Sequence, residues 1–240
     1  SLHDALPIYD PVLTELRSLP QVAVATECVE DQALVMYRGT QAMVTIKGVD
    51  DNFEKLTHIR SILQGDGTFE LHAADLNYGI PGIRLAYQMG LGYTYTEPLH
   101  VYAPRREGQL DVTDPSDGFV EDDLYSPGVV FEVLQGKYDK GYILTSIGFA
   151  RHIFDQQGML SSLELRLKPG SDFEAVKSEM RRICGDRYAV LDRYEQQDDT
   201  FRIMKIEKLI AYIFLTFILV VACFNRATMP AAAGVGIDVD

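Results

Sequence analysis

The chain has 240 residues, 47% of them hydrophobic, enough to fill the core of one large domain or two small ones. Its 22 Lys and Arg against 35 Asp and Glu give a net charge of −13 at pH 7. That balance argues against a nucleic-acid partner, which needs a basic face, and against a domain lying flat on anionic lipid.

The N-terminal stretch Ser1 to Ile8, SLHDALPI, lacks the basic start and apolar core of a signal peptide and reads as translated adaptor sequence. Val12 to Leu19 has a short helical pattern closed by Pro20. Gln21 to Glu30 alternates and is β-branched, which predicts a strand. Ala33 to Tyr37 predicts a second strand, Arg38-Gly39-Thr40 a turn, and Ala42 to Val49 a third strand, so this region is expected to be a meander.

Asp50-Asp51 opens a predicted helix, with Asp51 and Glu54 spaced as a capping box. Phe53, Leu56, Ile59 and Leu63 mark its buried face, and Gly65-Asp66-Gly67 ends it. Thr68 to Ala73 reads as a strand, Pro81-Gly82 starts a helix that reaches Gly90, and Glu97 to Ala103 reads as a strand.

Pro104 to Pro127 is different in kind. Glu107, Asp111, Asp114, Asp117, Glu121, Asp122 and Asp123 crowd into it, which predicts a long exposed loop or hairpin. Among those acids stand Leu110, Val112, Phe119, Val120, Leu124 and Tyr125. Apolar side chains inside a charged rim suit a protein interface. Phe119, Leu124 and Tyr125 are therefore the candidate partner-binding residues, with the acids steering a basic partner.

Gly128 to Leu134 and Tyr142 to Ser146 predict strands around a Gly136-Lys137-Tyr138 turn, and Gly148 to Asp155 a short helix. Leu163, Leu165 and Leu167 alternate with charged residues, and Phe173, Val176, Met180 and Ile183 recur at helical spacing. Ser171 and Glu174 are spaced as a capping box, Gly185 closes the helix, and Tyr188 to Leu191 predicts a strand. This stretch reads as a β-α-β unit, and the whole as an α+β domain.

Leu209 to Phe224, LIAYIFLTFILVVACF, carries no charge, Gly or Pro. A soluble helix is seldom apolar on every face, and a full span needs about 20 apolar residues. The run is read as the start of a transmembrane helix; a buried helix of a soluble protein is the alternative. No Gly or Pro lies between Gly185 and Pro230, so a continuous helix from about Glu195 is expected to lead into it. Phe201, Met204, Lys205 and Lys208 are the candidate residues of this coupling stalk. The tail 226–240 abandons the apolar pattern, and with residues 1–8 it is expected to be a non-native end of a fragment.

Searches for catalytic chemistry return nothing. There is no G-x-S-x-G elbow, H-E-x-x-H or phosphate loop, and Gly90-Leu91-Gly92 lacks the third glycine of a dinucleotide fingerprint. An EF-hand register with Gly118 at its sixth position puts Pro115 and Leu124 where ligands belong. His58, His72, His100 and His152 are scattered. Cys28, Cys184 and Cys223 match no metal spacing; buried free thiols are expected for the first two, with a Cys28–Cys184 pair as the alternative in an oxidising compartment. No cofactor, no metal and no catalytic residue is expected.

The order of elements resembles the extracytoplasmic domain of MacB/FtsX-like ABC transporter permeases, nearest to the lipoprotein-releasing LolC/LolE type. The residues that carry the resemblance are VAVATECVEDQALVMY, VTIKGVDDNF (Val44 to Phe53), GIRLAYQMGLGYTYTEPLHVYAP (Gly82 to Pro104), VVFEVLQGKYDKGYILTSIGFARHIF (Val129 to Phe154) and RIMKIEKLIAYIFLTFILVVACFN (Arg202 to Asn225). It implies a porter-like subdomain of β-α-β units, 9–96 and 140–194, with an inserted β-rich Sabre-like subdomain, 97–139. Residues 195–225 would then be the stalk and the start of the membrane helix. It implies a domain on the periplasmic side of the inner membrane, a separate ATPase subunit, a second permease subunit and a periplasmic carrier or adaptor. The fragment itself would be no enzyme. Lipoprotein release is the first function it suggests, with efflux or mechanotransmission through another partner as the alternative. A soluble ligand-binding α+β domain is the reading from a different class. The loop after Pro104 is longer and more acidic than a LolC-type hook.

Overall fold

The chain enters through Leu6–Pro7 (β1) and an eight-residue helix, Pro11–Ser18 (α1). Asp10 caps that helix: its carboxylate accepts a hydrogen bond from Val12 N at 2.8 Å, and Pro11 occupies the first helical position. The computed structural model describes residues 6–106, 118–192 and 195–196. It divides into two compact units, Ser1–Ile183 and Cys184–Asp240.

The scaffold of the first unit is one long hairpin, Val22–Tyr37 (β2) and Thr40–Val49 (β3). This corrects the expected meander. Asp31-Gln32 reads as a break in the sequence, yet the ladder runs unbroken from Cys28↔Val49 to Tyr37↔Thr40. The turn is two residues, Arg38 (φ 48°) and Gly39 (φ 79°). Two left-handed residues give the type I′ geometry that matches the twist of the strands.

The helix expected from Asp51 stops after one turn, Phe53–Leu56 (α2). Its capping box does not form. Asn52 holds the N-cap position with no side-chain cap bond; Asp50 accepts from Asn52 N at 2.9 Å and from Glu27 N at 2.9 Å, and Glu54 pairs with Arg60. Thr57 Oγ1 donates to Phe53 O at 2.9 Å and its backbone is extended, which ends the helix. A 3-10 turn, Ile59–Ile62, leads into Leu63–Gly65 (β4).

His72–Ala73 (β5) and Leu76–Asn77 (β6) make a small hairpin, followed by Ile80–Pro81 (β7) and the expected helix, Ile83–Met89 (α3), closed by Gly90 at φ 72°. Leu99–Pro104 (β8) and Phe119–Leu124 (β9) follow. Val129–Phe131 (β10) pairs with β4 as a separate two-stranded sheet. Gly136-Lys137-Tyr138, expected as a turn, begins a short helix, Gly136–Gly141 (α4). Tyr142–Ser146 (β11) leads directly into Ile147–Ile153 (α5), capped by Ser146 Oγ accepting from Phe149 N at 3.2 Å. Met159–Leu160 (β12) pairs with β1, and Ser162–Leu167 (β13) precedes Phe173–Cys184 (α6).

The main sheet runs β7-β11-β3-β2-β8-β9, with β13 also paired to β2. β3 and β11 are parallel and the remaining pairs antiparallel. The sixteen residues of β2 serve two neighbours on one flank, β13 along Val22–Cys28 and β8 at Leu34–Met36, while β3 takes the other flank. The fold class is α+β, as expected. Two strands from 97–139, β8 and β9, extend this main sheet.

Near α6 the expected β-α-β unit is absent. Tyr188 to Leu191 forms no strand, and β13 runs antiparallel to β2. The parallel pairing arises instead between β3 and β11, joined through residues 50–141. Asp172, rather than Ser171 with Glu174, caps α6 by accepting from Ala175 N at 3.2 Å. Val176 and Met180 are buried as the spacing predicts, but Phe173 is exposed. In the second unit, Asp192 and Glu195 bond each other's backbone N–H reciprocally at 2.9 and 2.8 Å. That is a capping box; the continuous helix expected onward from about Glu195 lies, beyond residue 196, outside the described residues.

Candidate interaction surface and the polar clusters behind it

The acidic stretch is a hairpin in which β8 and β9 pair antiparallel from Leu99↔Leu124 to Pro104↔Phe119. Arg105 N donates to Gly118 O at 2.8 Å and continues the ladder outward. Its remaining acids and Leu110 and Val112 lie outside the described residues. β9 has β8 on one side and is the terminal strand of the main sheet. Three consecutive acids, Glu121, Asp122 and Asp123, keep such an edge from pairing at random.

The three candidate contact residues separate sharply. Phe119 is 49% exposed, Tyr125 is half-buried, and Leu124 is fully buried. Leu124 therefore belongs to the core and cannot meet a partner. Period-2 alternation places Leu124 on the face opposite Phe119, which register alone decides. Tyr125 is held by its backbone: its N–H donates to Asn77 O at 2.8 Å, and its carbonyl accepts from Gly79 N and from the Tyr95 hydroxyl, each at 2.9 Å. The stalk residues Phe201, Met204, Lys205 and Lys208, and the apolar run from Leu209, lie outside the described residues. Among the described residues no helix is long and apolar enough to cross a membrane.

Two histidines that look isolated in the sequence acquire acid partners on β9. His100 Nδ1 lies 2.6 Å from Asp123 Oδ1, directly across the strand pair, and His152 Nε2 lies 3.7 Å from Asp122 Oδ2. Beside them an open cleft of about 440 Å³ lies past the carboxyl ends of β3 and β11, bordered by Asp50, Asp51, His72, Asp122 and His152. Among the described residues no three potential ligands gather around a common metal position.

Behind this surface the sheet buries charge. Lys47 stands opposite Glu30 in the β2–β3 ladder; its Nζ lies 2.5 Å from Glu164 and 3.9 Å from Glu30. Burial by itself would lower the lysine pKa, but the Glu164 and Glu30 carboxylates outweigh it and hold the ammonium above its usual range. The Tyr142 hydroxyl donates to Glu30 at 2.8 Å, and burial first, then Glu30, raises its pKa. Burial likewise pushes the Cys28 thiol far up, so it stays protonated and unreactive. Cys28 and Cys184 are both free. Glu27 receives Arg17 at 2.5 Å and Arg151 at 2.7 Å, and so ties α1 and α5 to β2. The charged residues themselves stand in the sequence, but pairing them needs the strand register.

No protein-family profile matches the sequence. No curated protein matches it either. Solved structures do match. The extracellular domain of the noncanonic ABC-type transporter YknZ from Gram-positive bacteria superposes with a TM-score of 0.50 at 10% identity, over 76% of this chain and 83% of that one. The periplasmic region of MacB from Actinobacillus actinomycetemcomitans superposes with a TM-score of 0.50 at 6% identity, over 76% of this chain and 74% of that one. The fold is that of the extracytoplasmic domains of ABC-type permeases.

Proposed function

We propose that this chain is the extracytoplasmic domain of an ABC transporter permease subunit, passing ATPase-driven motion from the membrane to a partner outside it. The observation that carries this reading is the mixed sheet built on the β2–β3 hairpin, in the arrangement of the YknZ and MacB domains. The uncharged run Leu209 to Phe224 supports it by giving the domain a membrane attachment in sequence. ATP would be hydrolysed by a separate ATPase subunit, and a second permease subunit would complete the transporter. Residues 97–139 would correspond to the Sabre subdomain, with β8 and β9 fused into the main sheet.

Within that reading, the cargo is lipoprotein released from the inner membrane, and the β8–β9 hairpin is where a periplasmic carrier docks, with Phe119 as its accessible anchor and Tyr125 beside it. The alternative is that the same hairpin engages an efflux or mechanotransmission adaptor. The test is to express the full chain, wash its membranes with carbonate and isolate it in detergent. The proposal expects it to stay in the membrane and to co-purify with a nucleotide-hydrolysing subunit. Release without detergent would favour a soluble ligand-binding α+β domain instead.

A further inference from the structure

The face formed by α3 and α4 departs from the rest of this acidic chain. The two helices pack together, so closely that a Cβ on Gly82 would fall 2.6 Å from Asp139 O. Their exposed residues include three cations and two tyrosines, Arg84, Tyr87, Lys137, Tyr138 and Lys140, and Tyr87 is 89% exposed. Residues 83–90 contain no acid, and Asp139 of α4 is buried.

Leu134 stands at the edge of this face, 80% exposed and at φ 60°. A branched side chain rarely adopts that backbone conformation, and strain of this kind persists only where the surroundings enforce it. They do so here through Asp139, whose Oδ1 accepts from Val133 N at 2.9 Å and whose N–H donates to Gln135 O at 3.0 Å. The turn thus holds a large apolar residue out in water, three positions before Lys137. Pre-organised apolar groups among charges are what a docking surface needs, because little entropy is lost on binding.

We propose that this face receives the β8–β9 hairpin of a second copy of the chain. The proposal rests on the reading of the hairpin as a docking element and gives it a second copy in place of the carrier. Complementarity points to it: β9 presents exposed Phe119 and Glu121 on one face, and α3–α4 presents apolar and cationic groups. The net charge of −13 disfavours anionic lipid as the occupant. In a two-fold dimer each copy gives its hairpin and receives the other's, so the contact is made twice. Membrane attachment would concentrate the copies and let modest patches suffice.

The experiment uses full-length chains in detergent or nanodiscs, labelled as donor and acceptor for energy transfer. One variant carries Lys137→Glu with Lys140→Glu, and the other carries Glu121→Lys. All three sites are exposed, and unchanged melting of each variant checks folding. Each variant alone should lose association, since like charges then meet at both contacts. Mixed together they should recover it, because both contacts of the mixed dimer are again opposite in charge. Leu134→Asp should lose association that no mixture restores. A mixture no more associated than its components overturns the proposal. If Phe119→Ala weakens capture of a carrier or adaptor while these swaps leave self-association unchanged, the hairpin docks elsewhere and only the second-copy partner falls. If Phe119→Ala affects neither, both readings fall.

Discussion

Gly48 on β3 and Ala150 on α5 meet in a tight helix–sheet contact: a Cβ added to Gly48 would fall 2.3 Å from Ala150 Cβ. No side chain fits there, so the glycine sets how deeply α5 sits on the sheet. Gly48→Ala should destabilise the domain by about 1–3 kcal/mol, the usual cost of overpacking. Ala150→Gly added to it should recover part of that loss. Equilibrium denaturation of the single and double variants measures both, and an undisturbed single variant would mean that α5 is free to shift.

The pair at Lys47 gives a second prediction. Lys47→Met removes the cation from between Glu30 and Glu164 and leaves two half-buried carboxylates uncompensated. Roughly 2–4 kcal/mol should be lost, somewhat under the cost of breaking a fully buried pair, because the site retains some solvent. Lys47→Met combined with Glu164→Leu should be milder than Lys47→Met alone. Thermal melts decide; equal losses would mean that the carboxylates are solvated well enough to need no partner.

Alkali should destabilise this domain by a definite sign. Cys28, Tyr95, Tyr142 and Lys47 all have folded pKa values raised above their unfolded ones, the first three chiefly by burial and Lys47 by its carboxylates. Above an unfolded pKa of about 8.5 for the thiol and about 10 for the others, only the unfolded state releases its proton. Stability is therefore full at neutral pH and falls as pH rises through that range. Tyr95→Phe should flatten the decline above about pH 10 in denaturation curves taken across the range; an identical slope would remove Tyr95 from the account.

Phe119 and Leu124 should behave oppositely despite both being apolar residues of β9. Leu124→Ala empties a fully buried site and should cost about 2–5 kcal/mol. Phe119→Ala should leave melting unchanged within about 0.5 kcal/mol and weaken partner capture instead. Unweakened capture would leave the hairpin as a sheet extension without a docking role.

The stalk reading makes a prediction in the intact transporter. A Gly-Gly insertion beside Lys205 should separate ATP hydrolysis from transport while the domain still folds, since force passes along a helix only while it is continuous. Reconstituted vesicles that transport at the original rate would remove the stalk from the mechanism.

Local rules determined much of this protein from sequence alone. The Gly82–Gly90 limits of α3, the Arg38-Gly39 turn, the Val176 and Met180 face of α6 and the α+β class all follow from turn chemistry and periodicity, which act within a few residues. The acidic Pro104 to Pro127 stretch, legible as a loop or hairpin, has its described arms paired as β8 and β9. What depended on distant partners was not. Asp31-Gln32 looks like a break, but ten consecutive pairs with β3 carry the strand through it. Leu163 to Leu191 has the pattern of a β-α-β unit, but β2 claims β13 antiparallel and no second strand forms. Leu124 and Phe119 are alike in composition, and only the register of β9 on β8 sends one into the core and the other into water. The Lys47–Glu164 contact joins residues 117 apart in sequence. Side-chain periodicity is a local property of the backbone, whereas register and burial are set by which strands meet, and that was decided only when the sheet closed around β2.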